Sequence, residues 1–422
     1  MMVFVRRYLY IYSIILLLIG LFACKKLTKI IDNPNAFIKY VGGTGEDIAY
    51  DIKPTSDGYI ITGVTTSFDN GPQVYLLKLD KNGNKSWEKN FGQSKDIAVT
   101  NLTENGLYDV GKSILLTPDG GYLIVGNALV GSDSMQVYVI KTDIDGNMQW
   151  ETYLGGSSFI NKGKSVILNV ENDGYVIAGE TNQPSLLKGG LDITGYFIWE
   201  IDLNGNFVKQ SNPALGLDFK DFPGKIIKDE FASYMLIGTS QKDNITSNLK
   251  ITQVKSDLTE GAAVSEPTIA DTSLLGASIT AISGGYVVTG TRVNYSLNGG
   301  RDLYFAMYNQ GNNITRPFFQ MDIGKSNNEE GLAIVAADAT TAVVVGSQIQ
   351  PGNLDKDVFL AKIDYVLQDT LWTRAIGGVG DDIAYAIEKT DDGGFVLVGS
   401  TILGANKMIT IIKIDKDGRV AY

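Results

Sequence analysis

The chain is 422 residues long and acidic, with 36 Lys and Arg against 47 Asp and Glu, no His and one Cys. Its first 23 residues hold two arginines and no acid, leaving 34 basic side chains against 47 acidic, a net charge near −13 that repels nucleic acid phosphates. The absence of His removes the commonest general base along with Ser/His and zinc–His constellations, and a lone Cys forms no internal disulfide.

Residues 1–23 read as a secretion signal. Arg6 and Arg7 supply the positive start, and an apolar run from Tyr8 to Phe22 follows, interrupted only by Ser13 and Gly20. The run is too short and wrongly flanked for a transmembrane helix. Leu21-Phe-Ala-Cys24 resembles the lipobox of bacterial lipoproteins, in which signal peptidase II cuts before the Cys and the thiol takes diacylglycerol; Phe22 departs from the small residue usual there. The resemblance implies lipidation at Cys24, and several acyl chains anchor durably where one holds weakly. The other reading of Cys24 is a buried free thiol at the end of a membrane-anchor helix. Residues 24–36 are then lipid attachment and a polar tether. The address is the cell envelope, as an outer membrane lipoprotein touching the membrane through its anchor alone.

From residue 37 to 422 one motif returns seven times, an apolar strand ending in Gly: Tyr59 to Gly63, Tyr122 to Gly126, Tyr175 to Gly179, Tyr234 to Gly238, Tyr286 to Gly290, Ala342 to Gly346 and Phe395 to Gly399. A period of roughly fifty to sixty residues, each unit carrying several short strands, predicts an all-β, seven-bladed β-propeller of four-stranded antiparallel blades. Blade seven is the clearest copy, with an inner strand at Asp382-Ile-Ala-Tyr-Ala-Ile, a turn at Asp391-Asp-Gly-Gly394 and a third strand from Ile409. Frequent Gly (48) and scarce Pro (10) suit many tight turns.

The turn after the third strand is regular, as Asp80-Lys-Asn-Gly83, Asp143-Ile-Asp-Gly146, Asp202-Leu-Asn-Gly205 and Asp415-Lys-Asp-Gly418. It begins like a calcium loop but lacks the later ligands and the final Glu, so a hairpin with Gly at positive φ explains it better. Trp87 and Trp150 follow at equal distance and read as outer-strand residues packing between blades, with stacking on a sugar as the alternative. Phe37 to Gly43 matches the fourth-strand sequence Trp87 to Gly92 but has no first three strands before it, while the last blade stops where its fourth strand would begin. The N-terminal strand should therefore close the ring and hide its edges.

Gly-Gly-x-Gly-Asp/Glu-Asp before the inner strand, Asp-Gly-Gly-Tyr before the second and Lys-x-Asp-x-x-Gly-Asn after the third together resemble the propeller repeats of secreted and lipid-anchored Bacteroidota-type proteins. That resemblance implies a propeller outside the cytoplasm and brings no defined catalytic residues. Asp133-Ser134-Met135 and Asp369-Thr370-Leu371 resemble the acceptor of Bacteroidota O-glycosylation, which would modify Ser134 and Thr370.

Inter-blade loops bring Glu46, Asp47, Asp96, Glu329, Glu330, Asp381 and Asp382 to one face, around the channel mouth. They are either carboxylates that cap strand ends or a site for a cation or basic ligand, with calcium the fitting ion because no His or free Cys is offered. No cofactor is otherwise implied. Insertions at 93–108 and 180–195 fall on the same face, as a binding surface or as drift. The sequence thus reads as a non-enzymatic binding or scaffold module for a protein or glycan partner. A glycan hydrolase using Asp and Glu at the mouth is the rival, since it needs neither His nor Cys.

Overall fold

The structure, a computed structural model, describes residues 36–420 apart from short stretches at 69–70, 93–108, 131–133, 157, 183–193, 212–219, 242–245, 267–271, 296–299, 311–315, 325–327, 350–351 and 353. The signal, Cys24, Asp96 and the centres of both insertions lie outside the described residues. Among the described residues no helix is long and apolar enough to cross a membrane.

Seven four-stranded antiparallel sheets form the chain into a seven-bladed β-propeller. The innermost strands, in chain order, are Asp47–Thr55, Val110–Leu116, Asn161–Leu168, Lys220–Lys228, Thr272–Ile282, Asn328–Ala336 and Asp382–Lys389. Each packs on the preceding blade, and the first packs on the last. Second strands such as Tyr122–Val130 are buried along almost their whole length, because neighbouring blades cover both faces.

Blade seven takes its outer strand from the N-terminus. Phe37–Val41 pairs antiparallel with Asn406–Ile414, from Phe37 opposite Lys413 to Val41 opposite Ile409. Phe37 meets Tyr59 of blade one edge-on at 6.3 Å, so the closing strand ties the two ends of the ring by packing as well as by pairing.

Two local devices set the geometry. First, every innermost strand carries an irregularity at the same place, two residues after its opening acid or equivalent: between Ala49 and Asp51, Gly111 and Ser113, Gly163 and Ser165, Pro223 and Ile226, Gly276 and Ser278, Gly331 and Ala333, and Ala384 and Ala386. A bulge adds an unpaired residue and re-aims its side chain. Here it turns Tyr50, Lys112, Lys164, Gly224, Ala277, Leu332 and Tyr385 onto the propeller axis.

Second, the Asp-x-x-Gly hairpins are seals between blades. Asp80 Oδ1 accepts the N–H groups of Asn82 and Asn84, and Asp143 and Asp202 repeat the pattern. The hairpin Gly at 83, 146, 205 and 418 has φ between 75° and 84° and lies flat under an aromatic ring of the preceding blade: Phe37, Trp87, Trp150 and Trp372. A Cβ there would stand 2.5 to 2.8 Å from that ring. The Trp residues are thus lids between blades, which explains why Gly and Trp recur together.

Candidate functional site

The acids of the inter-blade face belong to a ring. Asp47, Asp109, Asn161, Asp221, Glu329 and Asp382 open six of the innermost strands, two residues before the irregularity, and all are buried. Asp47 accepts hydrogen bonds from Thr65 Oγ1, from Ser67 Oγ at 2.6 Å and from the Gly43 N–H at 2.9 Å. Asp382 takes the Gly378 N–H at 3.0 Å and the Thr401 hydroxyl, and Asn161 is held by Thr181 at 2.6 Å. In blades one, three and seven the side chain therefore pins the glycine turn entering the blade to the second strand.

Two of the neighbouring acids, Glu330 and Asp381, are also engaged through their side chains. Glu330 forms ion pairs with Arg301 and with Lys356 at 3.0 Å, and Asp381 accepts the Lys356 N–H at 2.9 Å. Glu46 lies beside Asp47 with its backbone carbonyl bonded to the Thr66 N–H and its side-chain Oε2 buried without a hydrogen-bond partner. Glu329 Oε2 is likewise buried without a hydrogen-bond partner, and burial followed by the charge of Asp302 pushes that carboxyl up to about 7. Among the described residues no three metal-ligating side chains come together. Ser134 is buried with its hydroxyl donated to the Val130 carbonyl, while Thr370 is half-buried on the outer strand Asp369–Ile376.

None of the six described acids lines the central cavity. That cavity, of about 540 Å³, is walled by all seven innermost strands. Its charged lining is Lys53, Lys112, Lys164, Lys225 and Lys228 against only Asp51 and Glu388, so an acidic protein gathers an excess of positive charge at its axis. Both carboxylates bind Lys53 Nζ, at 2.9 and 2.5 Å. Burial works against the Lys53 charge, but Asp51 and Glu388 outweigh it and raise the amine above its ordinary range.

The rest of the wall is asymmetric. Blades seven and one contribute Tyr385 and Tyr50, with ring centroids 5.3 Å apart at 51°, and Lys112 Nζ sits 3.3 Å above the Tyr50 ring. Blades five and six contribute Ala277, Leu332 and Ala333. A chain of hydrogen bonds fixes the polar side: Asp51, Ser113 and Ser165 accept the backbone N–H groups of Ile114, Val166 and Ile226, each from the next blade, at 2.9, 3.4 and 3.3 Å. Sequence reading missed this row. Its signal was present, because Tyr50, Lys112, Lys164, Ala277, Leu332 and Tyr385 each follow the small residue two places after the opening position.

No family model matches the chain, and neither does any curated protein sequence. Among solved structures, an oligogalacturonate lyase in complex with manganese is similar at a TM-score of 0.50 and 10% identity, over 90% of this chain and 97% of that one. The periplasmic gluconolactonase of Pseudomonas aeruginosa is similar at 0.49 and 10%, over 90% and 97%. An alpha-L-arabinanase of Penicillium chrysogenum complexed with arabinobiose is similar at 0.47 and 14%, over 72% and 92%. Identities this low speak to the fold alone.

Proposed function

We propose that this protein is a lipid-anchored propeller of the bacterial cell envelope, of the Bacteroidota type, that binds a ligand in its central cavity without transforming it. The observation that carries the reading is the composition of the bulge row. Where a structural propeller would need only small or apolar plugs, this one places two tyrosines and two lysines, held by a fixed inter-blade hydrogen-bond chain. Aromatic faces with a few convergent polar groups are the usual lining of a small-molecule site. Anchoring rests on Leu21-Phe-Ala-Cys24 and on the tether that follows.

The glycan-hydrolase reading has one observation in its favour, the pair Asp51 and Glu388 in the cavity. Cleavage needs one protonated carboxyl and one free to act from the opposite side of the sugar. Here a single ammonium occupies both, which favours binding over turnover.

The test uses the full-length lipoprotein in detergent. A thermal-shift screen of envelope glycans and small metabolites should find compounds that raise the melting temperature of the parent but not of the Tyr50→Ala/Tyr385→Ala variant. Chromatography of the same mixtures should return each ligand intact; release of shortened glycan would replace this reading with the enzymatic one. Cys24→Ser should leave the protein unprocessed or release it from membranes, and normal processing and membrane fractionation of that variant would remove the anchor.

A further inference from the structure

The face opposite the channel mouth carries a pattern that neither the cavity nor the seals between blades require. Asp80, Asp143, Asp202 and Asp415 open the turn after the third strand there, and the next residue is its exposed tip: Lys81, Ile144, Leu203 and Lys416. Blade six sets Val366 and Leu367 on the same turn, and blade four adds Phe231 on the turn between its first two strands. Ile144, Val366 and Leu367 are 61%, 62% and 72% exposed, and Phe231 and Leu203 59% and 41%. Apolar residues scattered singly over a surface are ordinary, but these five all crown turns of one face. Blades two, three, four and six lie on both sides of the axis, so their tips define a plane across the ring. Contacts spread in that way fit a flat partner.

The closing strand starts from this face. Phe37 pairs opposite Lys413, one residue short of the end of Asn406–Ile414, and its ring lies against Gly83 in the blade-one hairpin. Cys24 stands twelve residues before Ala36, a reach of at most about 40 Å. The two hairpins beside that point carry lysines, Lys81 and Lys416, where blades two and three carry apolar tips. We propose that this face lies on a phospholipid surface, with Ile144, Leu203, Phe231, Val366 and Leu367 among the headgroups, Lys81 and Lys416 against lipid phosphates, and the channel mouth pointing away. The proposal rests on the anchored-propeller reading and adds an orientation to it. Each contact is weak, but a covalent anchor holds all of them at high local concentration, so weak contacts suffice to fix the tilt.

Acids of the same face set the depth. Asp143 and Asp202 direct both oxygens to the backbone and amide of Asn147 and Asn206, and Asp119 pairs with Lys141. Asp145 and Glu230 are exposed next to Ile144 and Phe231, which keeps these tips at headgroup level and out of the acyl core. The mouth face has an exposed apolar pair of its own, Leu354 and Val379, on neighbouring loops tied where the Gly380 N–H reaches Asp355 at 3.1 Å. To lay that face on the membrane the tether would have to double back along a nine-residue strand, about 30 Å.

The test uses the full-length lipoprotein in vesicles of phosphatidylethanolamine and phosphatidylglycerol, with Leu203→Cys, Leu367→Cys or Val379→Cys carrying a spin label; an acylated Cys24 takes none. Collision of the label with oxygen, which concentrates in lipid, is compared with its collision with an aqueous nickel chelate. The oxygen-to-nickel ratio should be about tenfold higher at 203 and 367 than at 379. Ile144→Asp combined with Phe231→Asp should lower the ratio at 203 by about threefold, with the melting temperature in detergent unchanged. Nickel-accessible labels at all three positions, in protein that floats with the vesicles, would overturn the docking and leave the anchor standing. A lipid-facing label at 379 alone would reverse the orientation and overturn the proposal. Exclusion of both reagents from 203 and 367 would assign the face to a protein contact and overturn it as well. If Cys24 itself takes the label and the protein stays out of the vesicles, the anchor fails and the docking falls with it.

Discussion

Blades one, two and seven hold their neighbours with one set of ties, and the seam between blades three and four uses another. In the regular blades an outer-strand ring lies on the next hairpin's glycine, as Trp87 does on Gly146, and a buried third-strand lysine reaches the Asp of the first turn, as Lys141 does to Asp119 at 2.8 Å. At the three–four seam Lys209 stands where the Trp would be, opposite Glu200 where the buried lysine would be, and the two pair at 3.2 Å. The glycine beneath has become Leu258, which keeps the left-handed backbone at φ 66° and fills the vacated space. Positive φ costs a leucine about 1–2 kcal/mol, and burying the side chain returns about 1.5–3 kcal/mol. The lesson is that the seal is a volume shared across a seam, which can be filled from either side.

The largest effect is expected at the ring closure, the one seam made by residues far apart in sequence. Removing residues 36–41 strips the partner from Asn406–Ile414 and uncovers the space that Phe37, Ile38 and Val41 fill. A loss on the order of 5 kcal/mol follows from their burial, seen as a fall of about 10 °C or more in melting temperature. An unchanged melting temperature would mean that the ring does not depend on its closing strand. Next comes Gly146→Leu, which forces a Cβ to within 2.6 Å of Trp87 at φ 75° and should cost about 3 kcal/mol. Adding Trp87→Lys rebuilds the three–four seam inside the regular half. The double variant should be at least about 1 kcal/mol more stable than the two single losses predict; simple additivity in denaturant titrations would sink the shared-volume account.

The contrast also explains what could be read in advance. Blade number, strand order and closure were legible because Tyr-x-x-x-Gly, Asp-x-x-Gly and the unpaired Phe37 sequence each encode one contact repeated round the ring. The acids at 47, 329 and 382 were equally visible, but repetition alone does not separate a ligand from a latch. Only the positions of Thr65, Ser67 and the Gly43 N–H show that Asp47 is satisfied within the protein. The cavity lysines stayed hidden for the opposite reason. They occupy a position that varies from Tyr to Lys to Ala, and only the bulge, a backbone feature, reveals that these unlike residues share one axis.

A smaller effect separates the two halves by pH. Burial pushes the Asp119 carboxyl up, but the Lys141 ammonium, the Thr117 hydroxyl and the Gly121 N–H together draw it down to about 2. Asp392 behaves likewise with Lys413, and the Lys78 ammonium lowers Asp57. A carboxyl lowered on folding stabilises fully above its unfolded value near 4 and loses that contribution as pH falls through the folded value. These carboxylates are partly open to solvent, so each tie is worth about 1 kcal/mol after screening. Blade four has no such lysine, using Gln253 and Ser233 instead. Hydrogen exchange between pH 4 and pH 2 should therefore show protection falling first in blades one, two and seven, and Asp119→Asn should remove that early loss from blade two. Uniform loss around the ring would deny the ties this role.

The smallest expected effect distinguishes two members of the acidic ring, Asp47 and Glu329. Asp47 is surrounded by donors, whereas Glu329 has a buried oxygen with no donor and Asp302 beside it, both carboxyls crowding the position a Cβ on Gly324 would take. Burial, then Asp302, pushes Glu329 up to about 7, so the folded protein binds a proton there more tightly than the unfolded chain does. Stability must then fall as pH rises from the unfolded value near 4.3 to about 7, and level off above that. Glu329→Gln keeps the shape of the protonated side chain and removes the charge. It should match the parent near pH 4 and exceed it by about 1–2 kcal/mol at pH 8, less than the full shift implies because relaxation around a buried charge lowers its cost. Asp47→Asn, by contrast, should destabilise at pH 8, since it replaces an acceptor that three donors share. Parallel stability curves for Glu329→Gln and the parent from pH 4 to 8 would show that Glu329 finds its donor and that the ring is uniform after all.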